Sequence, residues 1–126
     1  MTQATPQTHA ISLNPFNGER LADYAYDSPQ ALEAAVSQGS DAFKHWRNVD
    51  ISNRATHLLQ LAAELRTSSE DIARMIALEM GKPVKQARAE VEKSASLCEW
   101  YAKQGPAMLA PEPTQVDNGE AHIHYR

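Results

Sequence analysis

The sequence predicts a mostly α-helical chain with a β-hairpin near each end. Three observations carry that prediction. Apolar residues recur at helical spacing in successive stretches between Ala31 and Ala102. Asn17-Gly18 and Asn118-Gly119 each stand between short alternating stretches, as hairpin turns do. Between the two most regular helical stretches lies Glu79-Met80-Gly81-Lys82-Pro83. Gly81, without a Cβ, takes the left-handed conformation that ends a helix. Pro83 suits the first turn of the next helix, where its missing N–H would go unpaired anyway. This run reads as a tight corner between packed helices.

Composition narrows the class. The 126 residues make about one ordinary domain. At 42% hydrophobic and 22% charged, the chain is globular in composition. A net charge of −4 and a pI near 5.7 argue against a nucleic-acid partner, whose footprint would be basic. There is no apolar run of about 18 residues, so no membrane partner is expected. Met1 to Ala10 is polar and lacks the apolar centre of a signal peptide. The single cysteine, Cys98, has no internal disulfide partner. A cytoplasmic location is the expectation.

Taken in order, residues 1–10 read as a mobile arm. Ile11 to Asn14 alternates as a strand does, Pro15-Phe16-Asn17-Gly18 forms a turn, and Glu19 to Tyr26 returns. Asp27-Ser28-Pro29 starts a helix, with a capping serine and a proline in the first turn. That helix is rich in small residues, Ala31, Ala34 and Ala35 among them, and ends in Phe43 and Trp46, a composition that packs close to a neighbour. Asp50 or Ser52 caps the next helix, whose stripe is Leu58, Leu61, Ala62 and Leu65. Thr67 and Glu70 have the spacing of a capping box at the start of a third helix. Its predicted buried face is Ile72, Met75, Ile76 and Met80. The fourth helix runs from Pro83 to about Gln104 with an apolar row of Val84, Ala87, Val91, Ala95, Cys98 and Tyr101 or Ala102. Gly105-Pro106 is its stop signal. Met108 to Pro113 reads as extended connection. Thr114 to Val116 and Glu120 to Arg126 read as a second hairpin, with Ala121, Ile123 and Tyr125 on one face and His122, His124 and Arg126 on the other.

The last predicted strand runs to Arg126 without a turn or cap, and an open strand edge leaves backbone groups unpaired. Two isolated hairpins are marginal in water. The expectation is an N-terminal part of a longer protein; the alternative is a frayed strand in a complete small domain.

Chemistry is sought residue by residue. Cys98 lies in step with the apolar row, where a free cysteine behaves as a small hydrophobe, and no helix N-terminus activates it. His122 and His124 share a strand face that a metal could use, but the sequence supplies no third ligand. His9, His45 and His57 carry no spacing signal. Glu70, Asp71, Glu79, Glu90, Glu92 and Glu99 read as helix-surface or capping residues. Lys82 and Lys85 lack an accompanying glycine-rich phosphate loop. No catalytic, cofactor-binding or metal residue is assigned.

Several pieces, in this order and spacing, resemble the N-terminal region of the aldehyde dehydrogenase superfamily. They are Asn14-Pro15-Phe16-Asn17-Gly18-Glu19, Trp46-Arg47, the helix from Arg54 to Leu65, Glu79-Met80-Gly81-Lys82-Pro83, Glu90-Val91 and Trp100-Tyr101-Ala102. The run Gln86 to Val91 after the corner, with Cys98-Glu99-Trp100-Tyr101, is similar to bacterial succinate-semialdehyde dehydrogenases in particular. The resemblance spans about Ile11 to Arg126. It implies an α/β, aldehyde dehydrogenase-like parent that oxidises an aldehyde, here succinate semialdehyde, to its acid with NAD or NADP. In that family a cysteine thiolate attacks the carbonyl, hydride passes to the nicotinamide, a glutamate activates water and an asparagine holds the oxyanion. These residues and the dinucleotide-binding strands lie downstream of the matched region, and Cys98 does not align with the nucleophile.

The resemblance therefore implies scaffold: residues 11–113 as the helical part of the cofactor-binding domain and 114–126 as the start of a bridging hairpin. It also implies a homo-oligomer formed through that hairpin and a catalytic domain outside these residues. On this reading the fragment alone is inactive and binds no cofactor. The second reading is a free-standing helical module that binds another protein through its open strand. The coding sequence after Arg126 discriminates them: the enzyme reading expects a continuing strand and an apolar loop near Pro-Trp-Asn-Phe-Pro.

Overall fold

The structure, a computed structural model, describes residues 9–125. Its elements are β1 (His9–Leu13), β2 (Arg20–Ala25), α1 (Pro29–Trp46), α2 (Ile51–Thr67), α3 (Ser69–Met80), α4 (Val84–Met108), β3 (Glu112–Thr114) and β4 (Ala121–Ile123). They divide between two compact units. One holds the chain up to Asn48 with Glu70–Ala89, the other Val49–Ser69 with the chain from Glu90 on.

In the first unit, β1 and β2 pair antiparallel from His9–Ala25 to Leu13–Arg20, with a register shift between Ser12 and Leu13. The turn is tied from within. The Asn14 carbonyl accepts from Gly18 N–H at 2.8 Å, and the Asn14 N–H donates to the Glu19 carbonyl at 2.8 Å. Asn14 Oδ1 accepts from Phe16 N–H, and Asn17 Oδ1 accepts from Glu19 N–H. Gly18 has φ +73°, a conformation that disfavours a side chain. The strand begins two residues before the predicted start: His9 and Ala10 pair with β2 and are not part of an arm. The rest of the predicted arm, residues 1–8, lies outside the described residues.

Ser28 caps α1 as the sequence predicts, accepting from Ala31 N–H at 3.1 Å. The close packing expected of α1 is not found, for none of its residues is buried. Leu32 and Val36 are 62% and 65% exposed, and Phe43 lies open beside the Arg47 guanidinium. The helix forms on its cap and its alanines, while the elements of its unit leave the apolar stripe uncovered.

The corner at Gly81 closes as predicted, with Gly81 at φ +66° and its N–H on the Ala77 carbonyl. Pro83 stands just before α4, and its carbonyl accepts from Gln86 and Ala87. Ala73 of α3 and Ala87 of α4 are buried, while Met75 and Met80, predicted inside, are exposed. Small side chains hold the tight line and the long ones point away from it. Arg88 forks onto both oxygens of Glu70 at 2.7 Å.

In the second unit, Asp50 caps α2 by accepting from Ser52 N–H. The predicted capping box at Thr67 does not form. The α2 helix continues through Thr67, whose hydroxyl donates back to the Ala63 carbonyl, and α3 starts at Ser69. Ala62, Val91, Ala95 and Ala102 are buried, so most of the predicted α4 row is confirmed; Cys98 is half-buried and Leu61 exposed. The α4 helix passes Gly105-Pro106 to Met108: Pro106 forfeits one N–H bond near the helix end, and the Gly105 carbonyl still accepts from Leu109 N–H. The second hairpin is displaced. Its strands pair Glu112–Ile123, Pro113–His122 and Thr114–Ala121, so Glu112 and Pro113, read as connection, join Thr114 in β3, and residues 115–120 form the loop. Tyr125 donates to Glu112 at 2.7 Å, tying the hairpin across its open end.

Candidate functional site

The best-formed polar cluster joins α2 to α4 in the second unit. Arg66 stands in the last turn of α2. Glu92 and Glu99 are seven residues apart on α4, two turns along one face. Arg66 Nε donates to Glu92 Oε2 at 3.0 Å and Nη2 to Glu92 Oε1 at 2.9 Å. Nη1 donates to Glu99 Oε1 at 2.8 Å. One guanidinium thus grips two carboxylates, a geometry that lysine cannot reproduce. The hydrogen bonds hold both carboxyls below the usual carboxylate range and push the guanidinium further from deprotonation. All three groups are occupied with one another, so the cluster clamps two helices and offers no free acid or base. Sequence reasoning missed it, since its members are 26 and 33 residues apart. The heptad spacing of Glu92 and Glu99 was the available signal.

The candidates weighed in the sequence are dispersed. Cys98 is a free thiol in the middle of α4. The rings of His122 and His124 are 6.1 Å apart, and among the described residues no group of three histidines, cysteines or carboxylates is placed to hold a metal. Glu79 accepts the Ser12 hydroxyl and Glu70 is held by Arg88, which lowers its pKa by hydrogen bonding. Lys82 is half-buried at the corner and Lys85 is exposed on α4.

Two concavities among the described residues bear on ligand binding. A groove of about 330 Å³ in the first unit runs between Leu21 and Tyr24 of β2 and Met75 and Leu78 of α3. The hollow of the 113–122 loop, about 680 Å³, is lined by Asp117 and Glu120 with no lysine or arginine. That charge repels a phosphate. Gly18, Gly81 and Gly119 have positive φ, but none opens a helix from a strand in the way that cradles a pyrophosphate.

The aldehyde dehydrogenase family model matches residues 2–126. The chain belongs to that family. It is 50% identical to the succinate semialdehyde dehydrogenase [NAD(P)+] Sad of Escherichia coli K12 over 122 residues, covering 97% of this chain and 26% of that protein. It is 29% identical to a succinate-semialdehyde dehydrogenase [NADP(+)] of Deinococcus radiodurans, covering 95% of this chain and 26% of the other. Among solved structures, it superposes on succinic semialdehyde dehydrogenase from Streptococcus pyogenes, a complex with NADP+, with a TM-score of 0.84 at 26% identity. That match covers 91% of this chain and 26% of the other. The aldehyde dehydrogenase-like fold expected from the motifs is therefore present, as helices with two small antiparallel strand pairs. The chain spans about a quarter of the length of the curated relatives it matches. No helix of the described residues is long and apolar enough to cross a membrane.

Proposed function

We propose that these residues are the N-terminal scaffold of an NAD(P)-dependent aldehyde dehydrogenase that oxidises succinate semialdehyde to its acid in the cytoplasm. The observation that carries this reading is 50% identity to the E. coli enzyme across nearly the whole chain. Residues 11–113 serve as the helical part of the cofactor-binding domain. Residues 114–126 begin the hairpin through which subunits associate. Catalysis, cofactor binding and substrate recognition belong to polypeptide outside these residues, and the 126-residue chain alone is inactive.

The physical state of the chain supports a supporting role. Among the described residues the buried apolar ones are five alanines and Val91, while Leu32, Val36, Phe43, Met75 and Trp100 stand exposed. Arg54 Nε is buried without a hydrogen-bond partner. A guanidinium in that state costs free energy unless an acceptor reaches it. Both features are met if further polypeptide lies against these surfaces.

The test is to express the reading frame containing these residues, with its downstream sequence, and to follow NAD(P)H formation with succinate semialdehyde. Saturable turnover supports the proposal. A well-folded product with no aldehyde oxidation, retained on a protein partner through the hairpin edge, supports the helical interaction module instead.

A further inference from the structure

We propose that Asn118 is a site of spontaneous covalent modification, and that the fold directs the reaction there and away from Asn17. The sequence has two Asn-Gly pairs, Asn17-Gly18 and Asn118-Gly119. Each has the same chemistry available. The backbone nitrogen of the glycine attacks the asparagine side-chain carbonyl, forming an N–Cγ bond. The Cγ–Nδ2 bond breaks and ammonia leaves, taking up the amide proton. Water then opens the succinimide to aspartate or isoaspartate. No oxidant or reductant takes part. Glycine favours the ring because it puts no side chain in the path of the attacking nitrogen.

The two sites differ in what holds the reacting atoms. Gly18 N–H, the attacking group of the first pair, donates to the Asn14 carbonyl at 2.8 Å. The Asn17 side chain is held at both ends: Oδ1 accepts from Glu19 N–H at 3.0 Å, and Nδ2 donates to the Glu19 carboxylate at 3.3 Å. These bonds must break before the nitrogen can reach Cγ. At the second pair, no hydrogen bond among the described residues engages Gly119 N–H or the Asn118 amide. Exposure does not separate the two sites, since both pairs are exposed and nothing lies within 4 Å of a Cβ at either glycine; the hydrogen bonds do. The flanking strands are joined by only three residue pairs, so the loop is free to reach the cyclic geometry.

The product matters at this place. Either form adds a carboxylate between Asp117 and Glu120, two acids that already line the loop. Isoaspartate also lengthens the main chain by one carbon within the loop that sets the β3–β4 register. The inference rests on these two turns alone and stands whether or not the hairpin joins subunits.

The experiment is to age the 126-residue chain at mildly alkaline pH and map peptides by mass, with isoaspartyl methyl-transfer labelling as a second readout. The expected result is conversion at Asn118 about tenfold or more faster than at Asn17, as the loss of stabilising hydrogen bonds at one site implies. In strong denaturant the two rates should converge, and N118Q should remove the fast phase of ammonia release. Equal rates under native conditions, faster conversion at Asn17, or an Asn118 preference that persists unchanged in denaturant would overturn the proposal.

Discussion

Gly81 stands against Pro15: a Cβ added to Gly81 would lie 3.1 Å from Pro15 Cγ. Close by, the Ser12 hydroxyl donates to Glu79 at 2.6 Å. Two motifs some 65 residues apart, the Asn-Pro-Phe-Asn-Gly turn and the Glu-Met-Gly-Lys-Pro corner, are thus one packed contact in the first unit. Gly81 is required twice over, by φ +66° and by the proline ring. Gly81→Ala should destabilise the chain by about 1–2 kcal/mol from the left-handed backbone, with a further steric part. Adding Pro15→Ala should recover the steric part only. Urea unfolding of the single and double variants checks this; full recovery in the double variant would show that the backbone term is absent.

The open stripe of α1 yields a prediction that depends on context. Phe43→Ser in the 126-residue chain should change stability by less than about 0.5 kcal/mol, since the side chain is exposed there. In a chimera in which these residues replace the matched segment of the E. coli enzyme, the same change should cost about 3–5 kcal/mol, as for a buried aromatic. Thermal unfolding of the pair of proteins decides it. Equal effects in both would mean that nothing covers α1.

Arg66 should prove irreplaceable by lysine. Arg66→Ala leaves Glu92 and Glu99 facing each other without a cation, so the midpoint of thermal unfolding falls. Arg66→Lys should behave more like the alanine variant than like the parent, because an ammonium cannot reproduce three directed N–H bonds. The loss should shrink in high salt, as expected of exposed groups.

Acid sensitivity follows from the same pairs. Arginine hydrogen bonds hold the carboxyls of Glu70, Glu92 and Glu99 below their ordinary value. In the unfolded chain they titrate at the ordinary glutamate value. The stability they contribute is therefore present above that pH and is lost as pH falls through the lower, folded values. A plot of unfolding midpoint against pH should drop on the acid side, and Arg66→Ala should flatten the drop. An unchanged acid limb would show that the clamp contributes nothing.

Helix starts should respond to single oxygens. Ser28→Ala and Asp50→Ala each remove the acceptor for a first-turn N–H, at about 1 kcal/mol. Ser52→Ala, the other cap open to the sequence, should be nearly silent. Helix content by circular dichroism during thermal unfolding separates these.

The helices were legible where one local rule decided them. Ser28 before Pro29 and Gly81 before Pro83 are short-range signals, and the α4 row of Ala87, Val91 and Ala95 follows helical period. The Thr67 capping box misled because its spacing is equally that of a helix interior, where the threonine hydroxyl finds the carbonyl four residues back. Gly105-Pro106 misled because a proline near a helix end forfeits only one N–H bond, and the turn still closes through the Leu109 N–H on the Gly105 carbonyl. The β3 strand was hidden by Pro111 and Pro113, which suit an edge strand as well as a connection. Exposure of Met75 and Leu61 was not legible at all: periodicity marks an apolar face without saying whether these residues contain its cover. The Arg66 clamp needed two helices to be placed before its partners met.

The most direct test of the central claim compares rates of NAD(P)H formation from succinate semialdehyde by the 126-residue chain alone and by its chimera with the E. coli enzyme. The predicted result is no turnover by the chain and sustained turnover by the chimera. Turnover by the purified chain, or a folded chimera that is inactive, would contradict it.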